Sequence, residues 1–490
     1  AVAGSHFPES PAEAEAARAR LVFDELFRLE VALALRKRRQ IEGEEGIAHT
    51  AAPGLVEAFV AALPYRLTGA QERVIAEIRA DMATPHPMHR LLQGEVGSGK
   101  TAVAMAALLA GVQGGYQGAV MAPTEVLAEQ HYLGLEPLAR LVGVRMALLT
   151  ADSPGRAGVL AAVADGTVDV VVGTHALIQE GVRFARLGIA VVDEQHRFGV
   201  YQRVALREKA EGPHPDLLIM TATPIPRTLA QAISADLDQS VVDELPPGRE
   251  PVRTYWLRPR ERERAYAFIR HRVTQGEQAF VVCPRVEDVD DDETRAAVTE
   301  HERLSTEVFP DLRVGVIHGR LRPGDKDAVM TAFRDGEVDV LVATSVIEVG
   351  VDVPNATVMV IEGADRFGLA QLHQFRGRVG RGSRESACLL LADDPSRAAA
   401  ERLEAMTRTT DGLALAERDL EMRGPGDYFG VQQSGVVDRF RFARLTSSEA
   451  LRDAQQAAES VLAADPALAG PEWAALRARV AAFDAGARRA

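Results

Sequence analysis

Leu91-Leu92-Gln93-Gly94-Glu95-Val96-Gly97-Ser98-Gly99-Lys100-Thr101 decides how the rest of this chain is read. Two apolar residues close a strand and a glycine-rich turn follows. Val103, Met105, Ala106, Leu108 and Leu109 then continue as a helix that Gly111 can end. Strand, turn and helix in that order are the context in which the pattern G-x-x-x-x-G-K-[ST] binds phosphate. Glycines let successive backbone N–H groups wrap an anion, and the helix N-terminus favours negative charge. On this reading Gly94, Glu95, Val96, Gly97, Ser98 and Gly99 form the cradle of a nucleotide. Lys100 reaches the β- and γ-phosphates, and the Thr101 hydroxyl ligates Mg²⁺.

Outward from this loop, short apolar runs alternate with helical stretches: Ala119–Ala122, Val168–Val172, Ile189–Val192 and Leu217–Met220. Continuous apolar strands alternating with helices indicate a parallel sheet covered on both faces. A second series follows at Ala279–Val282, Val314–Ile317, Val338–Val342, Val358–Ile361 and Cys388–Leu391. Between the two series, Glu244-Leu245-Pro246-Pro247-Gly248-Arg249-Glu250-Pro251 reads as a linker. The expected fold is α/β: two tandem doubly wound parallel-sheet domains at 62–248 and 249–405. A helical region at 1–61 precedes them, and a mainly helical segment at 406–490 follows. Ser10-Pro11-Ala12-Glu13 predicts a helix start with a capping box. Arg36, Lys37, Arg38 and Arg39 near the end of that helix serve either its dipole and solvent or a phosphate.

With 490 residues, two or three domains are expected. The two cysteines, Cys283 and Cys388, sit in apolar runs and read as small core residues of a reducing, cytoplasmic compartment. No charged-then-apolar leader and no run of about 18 apolar residues stands in the sequence, so neither secretion nor membrane spanning is expected. The first residue is Ala, and an N-terminal truncation is expected. A net charge of −14 argues against binding nucleic acid through overall charge, though not through local strips of arginine. The acidic run Glu287–Glu293 lacks the glycine and spaced ligands of a calcium loop and reads as solvated.

Ile189-Ala190-Val191-Val192-Asp193-Glu194-Gln195-His196 delivers two carboxylates at the C-terminal end of a strand, the edge where parallel sheets bind ligands. Asp193 is placed to hold Mg²⁺ through water, and Glu194 to position an attacking water. Phosphoryl transfer also needs positive charge on the γ-phosphate. Gln374-Phe375-Arg376-Gly377-Arg378-Val379-Gly380-Arg381 supplies it from the second series. Arg378 and Arg381 are three apart, so on one helical turn they point the same way. A surface basic helix is the plainer reading of those residues taken alone. Together, Lys100, Asp193, Glu194, Arg378 and Arg381 are the catalytic candidates, with ATP and Mg²⁺ expected in a cleft between the domains.

These motifs stand in the order of the superfamily 2 helicases, which the chain resembles. The series is Gln71 in Leu67-Thr68-Gly69-Ala70-Gln71, the phosphate loop, Ala122-Pro123-Thr124-Glu125, Gly173-Thr174-His175, the acid box and Thr221-Ala222-Thr223. His318-Gly319-Arg320, Gly350-Val351-Asp352-Val353-Pro354 and the arginine segment complete it. Asp193–Val200 with Gln202-Arg203, and Met220–Leu229, are similar to the RecG family and its relative Mfd; Gln195 and Pro425 favour RecG. Arg418–Asp427, with Gly430 and Gln433-Ser434-Gly435, looks like the RecG translocation motif.

The resemblance implies further roles. Gln71 would recognise adenine, Asp352 would contact ribose or the domain interface, and Gln374 would serve the nucleotide. Pro123, Thr124, Thr174, His175, Thr223 and Arg227 would line a nucleic-acid track, with Thr221–Thr223 coupling it to ATP. Arg423 and Gln433 would act in translocation. Each has a plainer alternative, since Thr and Pro at strand ends cap helices and shape turns. The family implies a cytoplasmic, monomeric ATP-dependent translocase that remodels stalled forks and branch-migrates Holliday junctions. Its partners would be branched double-stranded DNA and single-strand DNA-binding protein. His6-Phe7-Pro8-Glu9 resembles the linker after the family's N-terminal wedge domain, and residues 1 to 60 are too few and too helical to form that domain. An RNA helicase, another DNA motor and a non-enzymatic scaffold are the alternatives to be separated.

Overall fold

The computed structural model describes all residues except 1, 43–44, 51, 152–154, 180, 194–208, 210–211, 224–236, 247–249, 285–291, 349–352, 383, 424–447 and 488–490. The chain divides into two compact units. One comprises Gly46–Pro224 and Gln239–Leu415; the other comprises Ala1–Glu45, Ile225–Asp238 and Ala416–Ala490.

The first unit holds two parallel sheets. Strands β1 (His89–Gly94), β2 (Gln117–Met121), β3 (Met146–Leu149), β4 (Val170–Gly173), β5 (Leu187–Asp193), β6 (Asp216–Thr221) and β7 (Asp238–Val242) lie in the order β3-β4-β2-β5-β6-β1-β7. Strands β8 (Arg253–Leu257), β9 (Gln278–Val282), β10 (Val314–Ile317), β11 (Val340–Ala343), β12 (Ala356–Ile361) and β13 (Ala387–Leu391) follow as β10-β11-β9-β12-β13-β8. The central strands are buried along their whole length, as the continuous apolar runs require.

The helix Lys100–Gln113 is buried from Ala102 to Gly111 against the first sheet. It does not stop at Gly111, as the sequence suggests. An added Cβ there would lie 2.9 Å from Ile189 Cγ2, so the glycine lets the helix press onto β5. The turn comes at Gly114 and Gly115, the latter at φ +78°.

Among the described residues, the second unit is mainly helical. Pro11–Glu42 packs against Ser448–Ala464 and Ala474–Ala487 through Val31, Ala32, Leu35, Ala458, Leu462 and Val480. The ends of the chain therefore share one core, which helical periodicity alone does not announce. Ser10 caps as expected, its Oγ accepting from Glu13 N at 3.2 Å, but the Glu13 carboxylate takes the N–H of Glu9 rather than of Ser10. Arg38 donates to the carbonyls of Leu462 and Pro466 at the end of the Ser448 helix, a structural use of one member of the basic cluster. The side chains of Arg36, Lys37 and Arg39 and most of the acidic run fall outside the described residues.

Candidate active site

Parallel register places the motifs in one row. Leu92 on β1 and Asp193 on β5 both pair with Met220 on the intervening β6, and Gln93 pairs with Thr221. The phosphate loop, the acid box and the Thr221 segment thus leave the same edge of the sheet at the same level.

The loop turns on Gly97 (φ +79°) and Gly99 (φ +85°), a left-handed conformation that side chains resist. Gly99 is the N-cap of the Lys100 helix, with no side-chain cap and no acid in the first turn. Helix starts usually recruit such a carboxylate or hydroxyl. Here the positive end of the dipole is left for an anion, which fits a phosphate group. Lys100 is buried, and its Nζ donates to the carbonyls of Gly94 (2.8 Å) and Glu95 (2.9 Å). Ser98 is fully buried.

Gln71 is buried under the loop. Its Nε2 donates to Ser98 O at 2.7 Å, its Oε1 accepts from Thr68 N at 2.9 Å, and its own N–H goes to Thr68 Oγ1. It therefore pins the helix Gly69–Met82 to the phosphate loop, with both ends of its amide engaged by protein.

Asp193 ends β5, and its Oδ2 meets His131 Nε2 at 2.7 Å. His131 lies on the helix Glu125–Leu141 and was not among the residues the sequence singled out. One signal could have found it. Ala128, Leu135 and Ala139 form the buried stripe of that helix, and His131 is the polar residue set on it.

The arginine segment comes from the second sheet's helix Leu369–Arg376. Here the structure corrects the sequence. The helix stops at Arg376, with Gly377 as C-cap and Gly380 at φ +74°. Arg378 and Arg381 therefore lie beyond the helix and do not share a helical turn. Arg378 is buried, and Arg381 Nε donates to Gly377 O at 3.3 Å. The segment abuts the phosphate loop, since a Cβ on Gly377 would come within 3.3 Å of the Val96 side chain. Gln374 Nε2 donates to Thr223 Oγ1 at 2.7 Å, and Thr223 N donates to Thr221 Oγ1 at 3.1 Å.

Arg376 has a separate task. It is buried, and donates to the carbonyls of Met406, Thr409 and Thr410 and to His373 Nδ1. Burial, with the Arg376 charge adding, pushes the His373 imidazole down to about 3, so it is neutral and can accept. The elbow thus held leads into the helix Gly412–Arg423, whose first N–H, on Gly412, donates to the phosphate-loop carboxylate Glu95 at 2.7 Å. A cavity of about 250 Å³ lies behind the loop, lined among others by Gln93, Glu95, Val242, Glu244, Thr410 and Leu413.

Of the expected track residues, Thr124 caps the Glu125 helix by accepting from Leu127 N at 3.3 Å. Thr174 is buried and accepts from Ala176 N, and His175 opens the short turn after it. Pro123 stands just before Thr124 at the exit of β2. Glu194, Arg227, Asp352 and Gln433 lie outside the described residues, as does the side chain of Arg423.

A phosphate loop on one parallel sheet, with an arginine segment from a second sheet against it, defines the two-sheet helicase class of P-loop proteins. Family models agree: "DEAD/DEAH box helicase" matches residues 68–232, "Helicase conserved C-terminal domain" matches 262–383, and "ATP-dependent DNA helicase RecG, domain 3, C-terminal" matches 409–485. The ATP-dependent DNA helicase RecG of Synechocystis is 49% identical over 470 residues, 96% of this chain and 56% of that protein. The Bacillus subtilis RecG is 46% identical over 480 residues, 97% of this chain and 70% of that protein. A solved structure of RecG bound to a three-way DNA junction matches with a TM-score of 0.77 and 43% identity, over 93% of this chain and 59% of that one. The chain belongs to the RecG family of ATP-dependent DNA helicases. It spans 56% to 70% of the length of these two relatives.

Proposed function

We propose that this chain is the motor of a RecG-type enzyme. It hydrolyses ATP and uses the energy to translocate on branched double-stranded DNA, remodelling stalled forks and migrating Holliday junctions in recombination and repair. The observation that carries this reading is the meeting, within one compact unit, of the phosphate loop with the arginine segment of the second sheet through Val96 and Gly377. Charge that develops on the γ-phosphate then lies between groups of both sheets, so hydrolysis alters how the sheets are held together.

In this reading Lys100 and the N–H groups of residues 96 to 101 hold the phosphates. Thr101 and Asp193 hold Mg²⁺, Glu194 orients water, and Arg378 and Arg381 stabilise the transition state. Gln71, Gln374 and Asp352 serve the nucleotide and the junction between sheets. Pro123, Thr124, Thr174, His175, Thr221, Thr223 and Arg227 couple it to the DNA track, and Arg423 and Gln433 drive the duplex. A junction-rich substrate in a cytoplasmic compartment, a monomeric state and single-strand DNA-binding protein as partner complete the proposal.

ATP turnover stimulated by forked DNA, and not by RNA of the same length, is the expected result. Lys100→Ala should remove that turnover. Substantial remaining hydrolysis, or equal stimulation by RNA, would refute the assignment.

A further inference from the structure

We propose that His131 is a positioning residue for the cation-holding carboxylate Asp193, and that through it the helix starting at Thr124 bears on the metal. The proposal rests on the ATPase reading given above and adds to it a residue and a route.

Asp193 Oδ2 and His131 Nε2 stand 2.7 Å apart, and each side chain is only 13% exposed. An ionised carboxylate accepts hydrogen bonds and donates none, so Nε2 carries the proton. Fixing Oδ2 in this way restricts the rotation of the whole carboxyl group at the end of β5. Metal-ligating carboxylates are generally oriented by such outer hydrogen bonds, whose loss costs about 10- to 100-fold in metal affinity or activity. A histidine that merely fills space does not require a carboxylate at the loop-bearing edge of the sheet. Here that carboxylate pairs in register with Met220, level with the end of β1.

The position of His131 on its helix gives the second half of the inference. The Glu125 helix is capped by Thr124, seven residues earlier, which is two turns of the helix on the same side. The buried stripe of Ala128, Leu135 and Ala139 seats that helix on the sheet. A rigid helix seated this way cannot shift at Thr124 without moving the imidazole at His131. A load on the Thr124 end is thereby felt at Asp193.

The test is a titration of Mn²⁺, a spin probe for Mg²⁺, into the chain loaded with a non-hydrolysable ATP analogue and followed by electron paramagnetic resonance. His131→Ala should weaken Mn²⁺ binding about 10- to 100-fold. His131→Gln, which keeps an N–H donor at similar reach, should recover most of it. Thermal melting of both variants reports that they are folded. Wild-type Mn²⁺ affinity in folded His131→Ala would overturn the proposal. So would equal loss in both variants, which would make the imidazole a packing element. Failure of the wild-type chain to bind the analogue would instead overturn the ATPase reading, and this inference with it.

Discussion

At the residue scale, the phosphate loop is held by two glycines and one buried amide. Gly99 has φ +85°, and a Cβ there would lie 2.2 Å from Gln71 Nε2. Gly99→Ala meets both a left-handed backbone, costing about 1–2 kcal/mol, and the loss of the Gln71–Ser98 bond. It should lower the melting temperature and abolish binding of a fluorescent ADP analogue. Unchanged binding would show that the loop tolerates a different path. Gln71→Ala leaves the Ser98 carbonyl and Thr68 N–H without their amide partner. It should destabilise by about 1–3 kcal/mol, measured by urea unfolding, even without nucleotide. A loss visible only with nucleotide bound would instead support a role confined to the base.

At the scale of elements, two buried ionisable groups organise helices. Arg376 ties the Leu369 helix to the carbonyls of residues 406, 409 and 410. Arg376→Ala leaves those neutral acceptors without their donor, and a loss of about 1–3 kcal/mol for each that stays unsatisfied is expected in chemical denaturation. In the helical unit, Glu30 is pushed up to about 7, chiefly by burial and then by the Glu459 charge. Its Oε1 has no hydrogen-bond partner among the described residues. Below pH 4.5 both the folded and unfolded chains hold this proton. Between 4.5 and about 7 the unfolded chain releases it while the folded chain keeps it, so stability falls as pH rises through that window. The fall amounts to roughly 3 kcal/mol at most. Glu30→Gln should flatten it in melting curves taken from pH 5 to 7.5; an identical pH slope in the variant would refute it.

At the scale of the whole molecule, the net charge of −14 bears on the DNA binding proposed above. Few phosphates neutralised means low affinity and a shallow dependence of the logarithm of the binding constant on the logarithm of salt. A titration of forked DNA from 50 to 200 mM salt should give a slope well short of that of a protein making roughly 6–10 phosphate contacts. A steep slope would show that local arginine strips outweigh the acidic body. The same titration with an N-terminal wedge domain joined to the chain measures what such a domain adds to affinity.

The sequence by itself determined the two parallel sheets and the phosphate loop, because both rest on local rules. Continuous apolar runs make buried parallel strands, and the spacing of Gly94, Gly99 and Lys100 makes an anion cradle wherever a strand precedes and a helix follows. It also carried the family, through motifs whose order survives in the chain. What local rules could not supply was pairing across distance. Periodicity marks a buried stripe on the Pro11 helix without saying that its partner lies over 400 residues away at Ala458 and Leu462. Spacing suggested a helical turn for Arg378 and Arg381, but Gly377 and Gly380 end the helix first. His131 is one polar residue on an apolar stripe, and only the packing of its helix on the sheet brings it to 2.7 Å from Asp193. Chemistry-bearing residues were legible one at a time, while the bonds between them were set by register and packing, which only the tertiary structure decides.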